Sequence, residues 1–252
     1  MSGNIPKRGA VSDTKDTEKR KLTECTSTVD SNLFQDWTGT YTSAVKDSGY
    51  CLGAGWAMTA AAQIESDVMR QHGSDYNYVL SAEQLLQCVT NSNGCSGGTT
   101  EYAFTYARTN GLELNNNYGY TSYWGTTGGP CAYDDSLGVA KVGGYFTTLA
   151  GDEGCMAHYV QNTGPLAVCL TASWAWFTYT GGIMTLSSCP AGDANHCVQA
   201  VGVHPSSSGG YWKLRNHAST RWGEAGFIRL EYGSNTCGLT NDPIFTSTVV
   251  DY

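Results

Sequence analysis

Apolar residues recur at helical spacing in one long segment of the N-terminal half. The positions that share steps of three and four residues are Trp56, Ala57, Ala60, Ala61, Ile64 and Val68. This spacing places side chains on one face of an α-helix, and Gly73 supplies a stop signal. Glycines at positions 49, 53 and 55 come before the run and permit a sharp turn. The pattern predicts a tight loop that delivers residues to a helix N-terminus.

Two further helices are predicted in the same half, and strands in the other. Ser81 is a suitable helix N-cap, and Gln84 three residues later completes the pattern of a capping box. Residues 103–111 end in Asn-Gly, a common helix C-terminus. The second half has β-branched and aromatic residues between glycines, which is typical of strands. The predicted elements there are strands at 139–148 and 166–171 and a helix at 151–161.

Charge and hydropathy exclude two classes of partner. The net charge is -8, and the longest basic run is Lys19-Arg-Lys21, so we expect no binding to nucleic acid or to an anionic membrane surface. No apolar run approaches the roughly 20 residues of a membrane-spanning helix. We therefore expect a protein without a membrane span.

The N-terminal segment differs from the rest of the chain. Residues 1–34 are polar, rich in charge and without periodicity, which is typical of a flexible arm. The remnant of a removed propeptide is a second interpretation of the same segment. No apolar signal region is visible between Met1 and Glu24. The expected division is an arm at 1–34 followed by one domain at 35–252.

Ten cysteines favour disulfides and an oxidising compartment, either outside the cell or in an organelle lumen. A metal site is the alternative, but no Cys-x-x-Cys pair occurs, and cysteine and histidine are not clustered at zinc spacing. We expect neither a metal nor a cofactor. Cys25 lies in the predicted arm and has two interpretations: a bridge to the domain, or a link to another chain in a larger assembly.

Several collinear motifs resemble those of papain-like cysteine peptidases. The most specific are Gly94-Cys-Ser-Gly-Gly98, Asn195-His196-Cys-Val-Gln-Ala-Val-Gly202, Tyr211-Trp-Lys-Leu-Arg-Asn216 and Thr220-Arg-Trp-Gly-Glu-Ala-Gly-Phe-Ile-Arg229. The resemblance spans roughly residues 36–242. It implies an α+β, papain-like two-lobed fold, with a helical left lobe, an antiparallel β-barrel-like right lobe and the active-site cleft between them.

The resemblance also implies roles at the cleft. His196 matches the histidine of the family, and Asn216 matches the asparagine that accepts a hydrogen bond from it. In the family a catalytic cysteine comes directly before the tryptophan that begins the long helix. Here that position holds Gly55, which has no side chain to act as a nucleophile.

Other positions at the cleft depart from the family pattern. The oxyanion glutamine is replaced by Ser48, or by Gly49 in an ungapped alignment, and neither residue has a long amide donor. His217-Ala218 stands where the family has Ser-Trp, so the indole that covers the His–Asn hydrogen bond is missing. The residues expected to bind an extended peptide are Gly97, Gly98 and Trp222.

The resemblance implies a set of disulfides. The implied pairs are Cys51 with Cys95, Cys88 with Cys131, and Cys189 with Cys237. The cysteines left unassigned are Cys25, Cys155, Cys169 and Cys197.

The expected function is that of a papain-like pseudopeptidase, a non-catalytic binding or structural component of an assembly, with a protein or peptide as its partner in the cleft. The alternative is a papain-type cysteine endopeptidase, which hydrolyses peptide bonds, with its catalytic cysteine replaced by mutation. Gly55 is common to both interpretations. The changes at Ser48 and at His217-Ala218 favour the pseudopeptidase, because a single mutation accounts only for Gly55.

Overall fold

The computed structural model describes residues 29–147 and 150–241 in full and the backbone of residues 20–21 and 245–250. Within these ranges the α-helices, α1 to α5 in chain order, are Gly55–His72, Ala82–Cys88, Thr100–Thr109, Glu153–Asn162 and Trp174–Phe177. The strands, β1 to β10, are Arg20–Lys21, Gln35–Asp36, Leu112–Glu113, Gly138–Thr147, Leu166–Leu170, Ile183–Met184, His196–His204, Tyr211–Arg215, Phe227–Glu231 and Phe245–Val250. Short 3-10 turns lie at Gly94–Ser96, Ser122–Trp124, Asp135–Leu137 and Thr236–Gly238.

The long helix α1 is the element against which both halves of the molecule pack. It contacts α2 and α3 on one side and β5, β7 and β10 on the other, and its residues from Gly55 to Met69 are all buried. The small alanines of its predicted apolar face allow neighbouring elements to approach the helix closely. The helix ends where the sequence predicts, since the N–H of Gly73 donates to the Met69 carbonyl.

The predicted capping box at α2 forms only in part. The Ser81 side chain accepts a hydrogen bond from the Gln84 N–H at 2.9 Å, which confirms the N-cap. The Gln84 side chain does not return to the Ser81 N–H. It donates instead to the Gly111 carbonyl at 2.9 Å and accepts from the Glu113 N–H. Gln84 therefore links α2 to the segment around β3. In this position its buried amide satisfies two backbone groups, whereas a capping box would satisfy only one.

The strands form one sheet with the order β1-β4-β10-β5-β7-β8-β9-β6, while β2 pairs with β7 and β3 pairs with β4. The central pairs β5–β7, β7–β8 and β8–β9 are antiparallel, as predicted. The edge pairs β1–β4 and β6–β9 are parallel. Within the described residues the sheet follows an open path, so the predicted barrel-like lobe is not a closed barrel.

Two apolar cores confirm the two-lobed α+β architecture. One surrounds α1 and includes Ile64 and Phe104, and the other lies beneath the strand-rich half and includes Met156 and Trp212. The strand β7 connects them. Its Gln199 side chain donates to Gln63 and Ser66 of α1, at 2.9 Å in both cases.

All three predicted disulfides are present: Cys51–Cys95, Cys88–Cys131 and Cys189–Cys237. A fourth bridge, which the sequence did not predict, joins Cys169 to Cys197. Cys155 is also disulfide-bonded. These bridges indicate an oxidising compartment.

The predicted N-terminal arm is described only in part. Cys25 and most of the predicted arm lie outside the described residues, so the proposed link through Cys25 stays a prediction. Residues 29–34 lead into β2, and Asp30 exchanges hydrogen bonds with Gln161 of α4.

Among the described helices, none has both the length and the apolar character needed to span a bilayer.

Candidate active-site cleft

A cavity of about 460 Å³ lies between the two lobes. Its helical wall is formed by the start of α1 and the loop before α3, and its strand wall is formed by β5 and β7. The residues that matter most for its chemistry are Gly55, Gly97, Glu101, Cys169, His196 and Cys197. The structure therefore brings Gly55 and His196, predicted from separate motifs, to the same cavity.

The N-terminus of α1 opens toward this cavity at Gly55. Its N-cap is Ala54, which has no capping side chain, and no acidic residue lies in the first turn. The N–H groups of Ala57 and Met58 both donate to the Ala54 carbonyl, whereas no backbone acceptor for Gly55 or Trp56 occurs in the described residues. Free N–H groups and the helix dipole favour negative charge at this point. Gly55 itself offers no nucleophilic atom.

The histidine and asparagine predicted for the site do form a pair. The Nε2 of His196, at the start of β7, lies 2.9 Å from the Oδ1 of Asn216. This contact leaves Nδ1 as the ring nitrogen that is able to accept a proton. Burial lowers the pKa of His196, while the hydrogen bond with Asn216 opposes the shift. Asn216 is buried, so the pair has a fixed orientation.

Trp176 covers this pair, and the sequence analysis did not identify it. The Trp176 ring contacts His196 edge-on, with ring centroids 5.5 Å apart, and also packs against Trp222 at 5.7 Å. Trp176 is only 1% exposed, whereas the next residue of α5, Phe177, is 58% exposed. His196 is therefore covered by an indole from α5, whereas position 218, where the family has a tryptophan, holds alanine.

His217 is buried beside His196 and Ser48 and does not line the cavity. Its ring centroid lies 4.9 Å from that of His196, and its Nδ1 lies 3.3 Å from the Ser48 Oγ. An ideal Cβ placed on Gly55 would lie 3.0 Å from the His217 Nε2. The imidazole therefore occupies the space into which a side chain at position 55 would point.

The environment of His217 keeps its imidazole neutral. Burial, and then the neighbouring His196, lower the pKa of His217 to about 3. The Nε2 atom makes no hydrogen bond of normal geometry within the described residues. The nearby backbone of Cys197 offsets only part of the shift, because a poorly aligned acceptor stabilises a cation weakly.

The two candidates for the oxyanion position differ in what they face. Ser48 is buried, and its backbone N–H donates to the His217 carbonyl at 2.9 Å. Gly49 faces away, since a Cβ there would lie 2.5 Å from the Tyr123 carbonyl. Ser48, rather than Gly49, contacts the His217 side chain. Neither residue belongs to the lining of the cavity.

The residues predicted to bind peptide have three different surroundings. Gly97 lines the cavity, and a Cβ built on it would meet nothing within 4 Å, so its backbone is open to a ligand. Gly98 also lines the cavity, but a Cβ there would lie 2.5 Å from the Trp56 ring. Its lack of a side chain therefore serves packing. Trp222 packs against Trp176 and Tyr179 and is not part of the cavity lining.

The unpredicted bridge between Cys169 and Cys197 lies on the strand wall of the cavity. The two cysteines are register partners on β5 and β7. The signal available in the sequence was weak: Cys169 lies in the predicted strand at 166–171 and Cys197 directly follows His196, but pairing them requires the register between two strands. No group of three or more metal-ligating side chains occurs among the described residues.

The comparisons with known proteins agree with this architecture. The model of the papain family cysteine protease matches residues 32–247. A cathepsin L-like proteinase from Fasciola hepatica is 35% identical over 210 residues, which cover 82% of this chain and 62% of that protein. Cysteine proteinase A of Leishmania mexicana is 36% identical over 204 residues, which cover 79% of this chain and 55% of that protein.

A solved structure of a related protein has the same fold. Digestive procathepsin L 3 from the larval midgut of Tenebrio molitor superposes with a TM-score of 0.82 at 28% identity, covering 92% of this chain and 74% of that one. A helical lobe and a strand-rich lobe that meet at a cleft define the class of fold. The chain belongs to the papain family of cysteine proteases. It spans 62% and 55% of the length of the two relatives above.

Proposed function

We propose that this protein is a papain-fold pseudopeptidase, which binds a peptide or protein segment in its cleft without cleaving it. The observation that carries the proposal is the contact between positions 55 and 217. A glycine stands at the start of α1, and the imidazole of His217 occupies the space beside it, 3.0 Å from where a Cβ would lie. Covalent catalysis needs a nucleophile at this place; Gly55 lacks the atom, and a side chain there would force His217 or the Cys197 backbone to shift.

The two positions depend on each other. A β-carbon at position 55 would press on His217 and on the backbone of Cys197, which lies 3.3 Å from the same point. His217 in turn is held by its contact with Ser48, another position that departs from the family pattern. Packing of this kind supports a chain that has long carried glycine at position 55, because one replaced residue does not rebuild its neighbours.

Binding remains feasible in the same cleft. The backbone at Gly97 is open, and the free N–H groups at the start of α1 suit the carbonyl oxygens of an extended chain. The cavity of about 460 Å³ is large enough for several side-chain-sized groups. These features support a peptide or a protein loop as the ligand.

Ala194 offers a direct test of binding. It lines the cavity, so Ala194→Trp should block the groove and lower the affinity for extended peptides at least tenfold in fluorescence polarisation. Ala132→Trp is the matched control, since Ala132 is exposed and lies outside the cavity lining. Equal affinities of the two variants would place the binding surface elsewhere.

The second candidate is a papain-type cysteine endopeptidase in which the catalytic cysteine has been replaced. The observation that favours it is the retained pair of His196 and Asn216 at 2.9 Å. A site that has lost its nucleophile has no catalytic need for this orientation. Under this interpretation, the relatives' proteolytic activity would return with a single thiol.

A restoration series separates the two candidates. We expect Gly55→Cys alone to stay inactive on fluorogenic peptides and toward thiol-directed epoxides, because His217 blocks the new side chain. Combining it with Ser48→Gln, His217→Ser and Ala218→Trp should raise the rate of hydrolysis by about 10²–10³ or more, the effect of one restored oxyanion donor. His217→Ser alone is the control, since it opens the same space without a thiol. A single Gly55→Cys variant within tenfold of the combined variant would establish the second candidate.

A further inference from the structure

We propose that the Cys169–Cys197 disulfide is a thiol-exchange site, at which the cleft captures a cysteine-bearing peptide as a mixed disulfide. The proposal extends the proposed function, because it rests on a peptide lying in the groove. It gives the cleft a covalent chemistry that does not use position 55.

The bridge lies on the wall of the cavity, where a bound peptide would contact it. Cys169 and Cys197 face each other across β5 and β7 with Cα atoms 4.0 Å apart, and both residues line the cavity. Gly97, with its open backbone, lies on the opposite wall. A peptide in the groove therefore passes between an open backbone and a disulfide.

The other described bridges lack this position. Cys189 and Cys237 are both fully buried. Cys51 is fully buried and its partner Cys95 is half-buried, but neither lines the cavity. The Cys88–Cys131 bridge is accessible at Cys131 but lies outside the cavity. It therefore serves as an internal control for exposure without the cleft.

The exchange step balances without an added oxidant. The thiolate of the incoming peptide attacks the Sγ of Cys169, which is the more exposed partner. A new S–S bond forms to Cys169, the Cys169–Cys197 bond breaks, and its electron pair leaves on the Sγ of Cys197. The proton lost by the incoming thiol ends on Cys197, so one disulfide and one thiol are present before and after the step.

Neighbouring groups suit this direction of attack. The Thr100 Oγ1 lies 3.6 Å from the Sγ of Cys169 and holds that sulfur at the cavity wall. His196 lines the same cavity, and its Nδ1 is free to take the proton of an incoming thiol, because Nε2 is engaged by Asn216. A thiol must lose its proton before it attacks a disulfide.

The chemistry is tested first with reduced glutathione and the intact protein. After exposure to millimolar glutathione and an acid quench, peptide mapping should show glutathione on Cys169 and a free thiol on Cys197. The Cys88–Cys131 bridge should still be closed at that time. Opening of Cys88–Cys131 first, or a Cys169–Cys197 bridge that persists until the protein unfolds, would overturn the proposal.

Single variants test which sulfur is attacked. Cys197→Ser leaves Cys169 as a thiol, and Cys169→Ser leaves Cys197. With oxidised glutathione, Cys169 should form the mixed disulfide at least tenfold faster than Cys197, because access controls the rate. Equal rates would overturn the assignment to Cys169. If a variant does not fold, the map of the unmodified protein still decides the proposal.

Paired peptides separate this inference from the proposed function. A groove-binding peptide with one cysteine should become covalently attached, and its serine counterpart should bind reversibly. Reversible binding of both peptides without a mixed disulfide would refute the exchange site and leave the binding function standing. Reaction with glutathione but no peptide binding would refute the binding function, and the exchange site would remain.

Discussion

The imidazole of His217 is enclosed by protein on all sides, and this determines how it responds to acid. In the unfolded chain a histidine takes up a proton near pH 6.5, whereas burial and the proximity of His196 lower the pKa of His217 to about 3 in the folded protein. Between these values the unfolded state binds more protons than the folded state, so stability falls as the pH is lowered. Above pH 6.5 His217 is neutral in both states and has no effect of this kind.

We therefore predict a steep loss of stability in weak acid. Between about pH 6 and pH 4, the free energy of unfolding should fall by up to about 1.4 kcal/mol per pH unit because of His217 alone. Urea denaturation at several pH values measures this slope, and His217→Gln should reduce it. His158→Gln is the matched control, since His158 is a partly exposed histidine of α4. An unchanged slope in His217→Gln would contradict the predicted role of burial.

The short helix α5 shows how one element serves two environments. Trp176 is buried against His196 and Trp222, while Trp174 on the same helix is 79% exposed. The buried indole compensates in part for the alanine at position 218, because it keeps water from one edge of His196. The covering group thus comes from an element different from the one the family motif would suggest.

This arrangement predicts the protonation of His196. Burial lowers the pKa of His196, so Trp176→Leu should admit water and raise that pKa toward 6.5, the ordinary value. Titration of the imidazole signals by NMR measures the shift. Trp174→Leu removes an indole from the exposed side of the same helix and should leave the His196 pKa unchanged. Equal shifts in both variants would mean that Trp176 does not shield the pair.

At the scale of the whole molecule, the lobes are joined by a buried polar network around Gln199 of β7. Its amide donates to Gln63 and Ser66 of α1, and its carbonyl accepts from Arg215 of β8 at 2.6 Å. Gln199 and Arg215 are both almost fully buried. Burial lowers the pKa of Arg215 to about 10, which still leaves it charged and dependent on its acceptors.

Removal of this amide should destabilise both lobes together. Gln199→Ala removes the acceptor of the Arg215 Nη2 and the donor to the Gln63 Oε1, and we expect a loss of about 2–4 kcal/mol in the free energy of unfolding. Thermal and chemical denaturation measure it. Asn117→Ala, at an exposed position, should change stability by no more than about 0.5 kcal/mol. A similarly small effect of Gln199→Ala would mean that the network does not link the lobes.

Spacing and motifs in the sequence were sufficient for features that depend on one element or on the motifs of the family resemblance. The extent of α1 followed from apolar steps of three and four residues, because a helix repeats at that interval. The pair of His196 and Asn216 and the three predicted disulfides followed from the family resemblance. These contacts join different elements, and the resemblance predicted them because it supplied the whole fold that brings the elements together.

Only the tertiary structure decided which side chains meet across elements. The entry of His217 into the space beside Gly55, the shield supplied by Trp176 and the Cys169–Cys197 bridge all join residues far apart in the chain. Each depends on strand register or on the orientation of one element against another, and a shift of one residue in register reverses the face of every side chain. The sequence by itself determined the family and the glycine at position 55, whereas packing between the lobes decided which side chain lies beside that glycine.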